Sequence, residues 1–212
     1  ALARSGRALA FVAPLEGNDV VWVQRLRSLD ARPLRGTEKA LWPFWSADER
    51  FVAFYAEGRL KRAAAEGGAT PTDVTTIRGH YWGGIWADDN TLLYGGTGGL
   101  FRLAADGGMP LRWTEVDASR GEFSHRFPVL LSDGRRFLYL ALSAQPEHEG
   151  FYIGSLDDRS IKTWVRRGRA KAALGYGPNG RLHLISIGDD GELLAQPFDE
   201  AQTKLVDDAL EI

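Results

Sequence analysis

Ser5, Asp48, Asp89, Asp133 and Asn179 stand 43, 41, 44 and 46 residues apart along the chain. A ring of carboxylates at such intervals could ligate a metal. Asp and Asn are also the residues that close tight turns, through hydrogen bonds from their side chains to nearby backbone. Ser5 and Asn179 stand in for Asp at equivalent sites, which suits capping better than charge-dependent binding, so no metal is expected. The histidines are His80, His125, His148 and His183. None lies within four residues of another, so no local ligand spacing exists. His148 sits in the polar loop Gln145–Glu149, and His183 alternates with Leu182 and Leu184 as the outward side of a strand. His80 and His125 differ from these, because each precedes an aromatic, Trp82 or Phe127, by two residues.

Nucleophilic chemistry finds no pattern. There is no Gly-x-Ser-x-Gly elbow, and Gly154-Ser155-Leu156 lacks its surroundings. Asp88-Asp89 and Asp189-Asp190 read as turn residues rather than an acid and its base. No cysteine occurs, which removes thiol catalysis, disulfides and cysteine-rich zinc sites together. No cofactor and no catalytic residue are expected, and the chain is read as a non-enzyme.

The spacing of those five positions reflects a repeat that must position everything else. Trp42-Pro43-Phe44-Trp45-Ser46-Ala47-Asp48-Glu49-Arg50-Phe51-Val52-Ala53-Phe54 recurs as Phe127-Pro128-Val129-Leu130-Leu131-Ser132-Asp133-Gly134-Arg135-Arg136-Phe137-Leu138-Tyr139. Trp82–Tyr94 is a third copy, Leu174–Leu182 a fourth, and Ala1–Phe11 a fifth with its beginning worn away. Each copy leads to a short apolar strand, a polar turn and a further strand, for example Leu100–Leu103, Asp106-Gly107-Gly108 and Met109–Leu111. Val20–Val23 leads in the same way to a turn at Ser28-Leu29-Asp30. Four short strands per period of 41 to 46 residues predict an all-β propeller of four-stranded antiparallel blades, five repeats in this chain. The repeats run 1–38, 39–78, 79–122, 123–169 and 170–212, in one domain spanning 1–212. One blade alone buries too little apolar surface to be stable, so blades must stack. Trp45, Trp86, Leu130 and Tyr176 share one repeat position and are expected to pack between blades.

The best copy, Pro43–Phe54, resembles the TolB-type, WD-like propeller repeat. A closer likeness is to the propeller regions of bacterial membrane-anchored serine/threonine kinases. It is carried by Gly36-Thr37-Glu38, Trp42–Trp45, Arg120–Pro128, Gly134–Leu140, Ile153–Asp157 and Leu194–Asp199. That resemblance implies an extracytoplasmic or periplasmic sensor or interaction domain. No kinase motif is present in the chain itself. TolB-type propellers usually have six blades, so five repeats are either a small propeller or part of a larger one. The chain begins with Ala rather than Met, which implies a processed or excised product, from which a signal peptide or membrane anchor could have been removed.

In a propeller, loops joining the last strand of one blade to the first of the next share one face. Loops 76–82, 115–127 and 165–172 carry Arg78 and His80, then Arg120, His125 and Arg126, then Arg166, Arg167, Arg169 and Lys171. Tyr81, Trp82, Phe123 and Trp164 are interleaved, with Trp82 and Phe127 lower in the funnel wall. With a net charge of only −2, such a basic, aromatic-lined funnel is either a local feature that takes an anionic ligand or acidic peptide, or a solvated face with salt bridges. The ligand-binding candidates are Arg78, His80, Trp82, Arg120, His125, Arg126, Arg166, Arg167 and Arg169. The expected partner is a protein, a peptide or a small anion, with no nucleic acid and no membrane contact. The rival reading is a substrate-gating propeller of a prolyl-oligopeptidase-type serine peptidase whose catalytic domain lies outside this chain.

Overall fold

The computed structural model describes residues 1–28, 30–188 and 190–212. Leu29 of the expected turn after the first blade's second strand, and Asp189 of the Asp189-Asp190 pair, lie outside the described residues.

The fold is all-β. Five antiparallel sheets follow one another in chain order, and within each the strands pair in sequence order, the meander of a propeller blade. Blade one comprises Ala8–Leu15, Asn18–Arg25 and Ala31–Pro33; blade two Leu41–Trp45, Phe51–Ala56, Arg59–Ala64 and Thr72–Thr76. Blade three comprises Gly84–Trp86, Thr91–Gly96, Gly99–Ala104 and Gly107–Arg112. Blade four comprises Glu122–Leu130, Arg136–Ser143, Gly150–Ser155 and Thr163–Arg167. Blade five comprises Ala173–Tyr176, Leu182–Ile187 and Leu193–Asp199, whose free edge takes two short pieces, Lys204–Leu205 and Leu210–Glu211. The missing inner strand of blade one survives as Ala1–Ala3: Leu2 bridges Leu9, and the Ala3 N–H donates to the Ala8 carbonyl at 2.8 Å.

The aromatic-Pro opening of the repeat has a local cause. In blades two and four the first strand carries a bulge, between Leu41 and Phe44 and between Arg126 and Val129. The residue before the proline, Trp42 or Phe127, takes φ of 49° or 51°. A bulge places one residue in an unusual conformation and bends the strand. The equivalent slot of blade three is Gly83, φ 72°, one residue after Trp82. Trp82 therefore does not share the position of Trp42 and Phe127.

The chain divides into two compact units, Ala1–Thr97 with Phe101–Arg112, and Gly98–Leu100 with Trp113–Ile212. In the first, Ala10, Val21, Trp45, Val52 and Phe54 form the layer between blades one and two. Trp45 is 8% exposed, and its indole N–H donates to the Ala1 carbonyl at 3.0 Å. Phe44, Leu60, Tyr81, Trp86, Leu92 and Tyr94 form the layer between blades two and three, where Trp86 stacks on Phe51 at 6.2 Å. In the second unit Leu138, Leu140, Phe151, Ile153, Leu184 and Phe198 join blades four and five. The expectation for the shared bulky position holds for Trp45 and Trp86 and fails for Tyr176, which is 67% exposed; Leu130 is half-buried. Tyr176 ends a four-residue strand, and the apolar cluster closes over Leu174 and Leu182 without it.

Candidate functional site

The five recurrent side chains cap turns. The N–H two residues on donates to Ser5 Oγ (3.2 Å), Asp48 Oδ1 (3.0 Å), Asp89 Oδ1 (3.1 Å), Asp133 Oδ1 (2.8 Å) and Asn179 Oδ1 (3.1 Å). Among the described residues no group of three His, Asp or Glu side chains could hold a metal ion.

In the first unit Arg78 and His80 are exposed. The His80 ring stacks on half-buried Trp82 at 5.8 Å, and the His80 N–H donates to Thr97 Oγ1 at 3.1 Å. Gly79 makes that turn possible: its φ is +94°, and a Cβ there would lie 2.4 Å from the Thr97 hydroxyl.

In the second unit the predicted residues divide. Arg166 donates to the Arg167 carbonyl and to Gln196 Oε1, both at 3.1 Å, and Arg167 is exposed. Arg169 pairs with Glu149, and Arg126 donates to Ser124 Oγ at 2.9 Å. Arg120 lies over the Tyr152 ring, with Nη2 3.1 Å from His148 Nδ1; its Nε is buried and makes no hydrogen bond among the described residues. Phe123 and Trp164 are exposed aromatics nearby in sequence.

His125, expected at an open mouth, is instead fully buried. The reason is a second bulge. Glu122 pairs with Ser143, Ser124 with Leu142 and His125 with Ala141, so Phe123 is an extra residue. The bulge puts Glu122 and His125, three apart, on the same face, and turns Phe123 outward. Glu122 is buried too, and its carboxylate collects three donors: His125 Nε2 at 3.1 Å, the Asp117 N–H at 2.9 Å and the Lys162 ammonium. Burial pushes the Glu122 carboxyl up, but the hydrogen bonds from His125 and Lys162 outweigh it and hold the group at about 2. Burial also lowers the His125 imidazole against the opposing pull of Glu122. An ionised Glu122 only accepts, so Nε2 carries the proton; the neutral ring then accepts at Nδ1 from Thr114 Oγ1, 2.8 Å away. Thr114 Oγ1 in turn accepts from the Leu100 N–H at 2.9 Å.

Thr114, His125 and Glu122 thus stand in the order nucleophile, base and orienting acid. The geometry nevertheless disfavours acyl transfer. In such a relay the imidazole must hand its proton to the leaving group. Here both ring nitrogens are engaged and the ring is sealed, so a proton taken from Thr114 could return only to Thr114.

Thr114 and Lys162 also line a depression of about 480 Å³, together with Trp113, Tyr139, Arg159 and Ile161. The Trp113 indole donates to the Ser155 carbonyl at 2.8 Å, and Arg159 lies over its ring at 5.7 Å. Glu122, Thr114, Tyr139 and Lys162 were not singled out from the sequence. The signal that could have found them is the polar pair Glu122 and His125 flanking an aromatic at the start of an inner strand, a spacing that only a bulge reconciles with burial.

No protein-family model matches the chain. No curated protein matches it. Solved structures do resemble it. TolB from Acinetobacter baumannii superposes with a TM-score of 0.69 at 15% identity, covering 97% of this chain and 53% of TolB. The chain thus spans about half the length of that structure. A propeller in a nidogen/laminin complex gives a TM-score of 0.70 at 9% identity, covering 100% of this chain and 78% of the other. An oligogalacturonate lyase in complex with manganese gives 0.54 at 13% identity, covering 97% and 74%. At these identities the likeness defines the fold class, a β-propeller of the kind TolB has, and that class includes both a binding partner and an enzyme.

Proposed function

We propose that the chain is a non-catalytic binding or sensor module that presents basic, aromatic-flanked loops to an acidic peptide or protein segment. It acts as one propeller domain over residues 1–212, outside the cytoplasmic membrane, as part of a bacterial receptor-like kinase. The observation that carries the reading is where the polar side chains go. The recurrent Asp and Asn cap turns and the His125 relay is sealed, while Arg78, His80 and Arg167 remain exposed, His80 stacked on Trp82 and the two arginines close in sequence to Trp82 and Trp164. Exposed arginines in loops that also carry aromatic side chains suit carboxylate-bearing peptides. The nidogen/laminin neighbour supports protein binding by this fold. The kinase link rests on the sequence stretches named above.

The test is titration with a deca-glutamate peptide by calorimetry. Binding should weaken steeply between 50 and 300 mM salt, because exposed charges are screened beyond about 8 Å at physiological ionic strength. Arg78→Glu with Arg167→Glu should remove it. Affinity indifferent to salt and to both reversals would overturn the reading.

A further inference from the structure

The five capped turns are alike in their hydrogen bond and unlike in their reactivity. Asn179 stands where blades two, three and four carry Asp48, Asp89 and Asp133, and it precedes Gly180. The chain has three asparagines; the other two, Asn18 and Asn90, precede Asp19 and Thr91. A side chain on the following residue shields the backbone nitrogen between the two, and glycine leaves that nitrogen bare. A Cβ at Gly180 would meet nothing within 4 Å, and Pro178, Asn179 and Gly180 are all exposed, so the approach is open. The Asn179 amide is also activated. The Arg181 N–H donates to its Oδ1 at 3.1 Å, while Nδ2 makes no hydrogen bond among the described residues. An N–H on that oxygen stabilises negative charge developing there. Asn90 is the contrary case. Its Oδ1 accepts from the Trp86 indole at 3.2 Å, its Nδ2 donates to Asp106 at 2.9 Å, and the Thr91 N–H donates to Asp89 Oδ1 at 3.1 Å.

We propose that Asn179 is a site of spontaneous deamidation. The Gly180 nitrogen loses its proton to solvent base and attacks Cγ of Asn179. The N–Cγ bond forms, the Cγ–Nδ2 bond breaks, and Nδ2 takes a proton from solvent and leaves as ammonia. Water then opens the five-membered imide at either carbonyl, giving aspartate or isoaspartate. The Gly180 N–H donates to the Gly177 carbonyl at 2.9 Å, and that bond must open first; exposed turns are where local opening costs least. Asp133 sits in the same turn of blade four, before Gly134 with φ 69° against 72° for Gly180. Its carboxylate accepts from the N–H groups of Arg135 and Arg136, both at 2.8 Å, and from Arg136 Nε at 2.5 Å. A carboxylate kept ionised in this way repels the attacking nitrogen and has no leaving group, so Asp133 stays as it is. The two products at 179 differ in consequence. Aspartate reproduces the cap of Asp48, Asp89 and Asp133 and keeps the fold. Isoaspartate adds a main-chain carbon to a turn closed by the Gly177 N–H on the Arg181 carbonyl at 2.9 Å, and displaces the pairing of Tyr176 with Leu182. None of this rests on the peptide-binding loops.

The folded protein is held at pH 8.5 and 37 °C, and its peptides are mapped by mass spectrometry with separation of aspartate from isoaspartate. Asn179 should convert at least ten times faster than Asn18 or Asn90, to both products, and Asp133 should show no isoaspartate. Asn179→Ser gives this turn the residue that blade one uses at Ser5, and should abolish the conversion there with the fold intact. Asn179→Asp should melt at the temperature of fresh wild-type protein. Wild-type protein aged to a high isoaspartate content should melt lower, and Asn179→Ser aged in parallel should not. Conversion of Asn18 or Asn90 ahead of Asn179, isoaspartate at Asp133 as early as at Asn179, or an unchanged Asn179 would each overturn the site. Isoaspartate-bearing protein that melts as fresh protein does would overturn its consequence for the blade.

Discussion

Each unit carries a row of rings, the first passing from blade two through the loop residue Tyr81 into blade three and the second crossing the strands of blade four, and the two rows end differently. In the first, Tyr55, Tyr81, Tyr94 and Phe101 follow one another at 5.2, 6.1 and 5.5 Å. In the second, His125, Tyr139, Tyr152 and Trp164 do so at 4.9, 5.8 and 5.0 Å. Cross-strand aromatic pairs such as Tyr139 with Tyr152 and Tyr152 with Trp164 stabilise a sheet on their own account. The first row has one cation, Arg112, 5.0 Å over its Phe101 end, and the Tyr81 hydroxyl is buried with no partner among the described residues. The second row borders a buried carboxylate, two cations and a sealed imidazole. An aromatic row is therefore a packing device in both units. What makes the second a candidate site is one extra residue, Phe123, which turns Glu122 onto the same face as His125.

The largest effects should come from removing the central member of each region. Trp45→Ala should cost about 3–5 kcal/mol through the cavity left in the first unit. Glu122→Ala should cost a similar 3–5 kcal/mol by leaving Lys162 and His125 without their shared acceptor. Urea denaturation measured at two pH values separates them. The Glu122→Ala penalty should shrink at pH 3, whereas that of Trp45→Ala should be the same at both.

That separation follows from the signs of the shifts. The folded carboxyl of Glu122 is depressed to about 2, so its contribution is present above the usual carboxylate range and is lost as pH falls toward 2. A shift of that size corresponds to at most about 3 kcal/mol. The folded imidazole of His125 is lowered, so the neutral ring is stabilising above about 6.5 and the fold loses stability as pH drops below it. Both act in one direction. Stability should fall on acidification in the wild type, and a flat profile between pH 7 and 3 would remove the polar cluster from the account.

Smaller effects sharpen the contrast between the two rows. Tyr81→Phe removes a hydroxyl that satisfies nothing and should be neutral or stabilising by about 1 kcal/mol. Tyr152→Phe removes a donor to the His148 carbonyl at 3.0 Å and should cost about 1 kcal/mol. Thermal melts of the pair should move in opposite directions. Smallest is Asn179→Ala at an exposed turn, expected to cost at most about 1 kcal/mol.

The blades were legible in the sequence because turns are local. A side chain that accepts from the N–H two residues on needs nothing from the rest of the fold, so Asp48, Asp133 and Asn179 announce their turns by spacing alone. Trp45 and Trp86 were legible because the repeat puts a bulky group where blades meet. Tyr176 was misjudged because the same position depends on how far the neighbouring cluster extends. The site was hardly legible. Burial of His125 depends on a bulge that breaks strict alternation. Its partner Thr114 lies 11 residues before it, and Lys162, which pairs with Glu122, lies 37 after it. Such meetings are made by the path of the chain and leave no local pattern.

The central claim is that the imidazole of His125 is a sealed, neutral link between Glu122 and Thr114 rather than an accessible acid-base group. Nitrogen NMR of the ring tests it most directly. At pH 7 the account predicts a protonated Nε2 and an unprotonated Nδ1, a titration midpoint below the ordinary 6.5, and no change on adding a carboxyl-modifying reagent at neutral pH. A ring that is doubly protonated at pH 7, or one that titrates with an ordinary midpoint near 6.5, would contradict it.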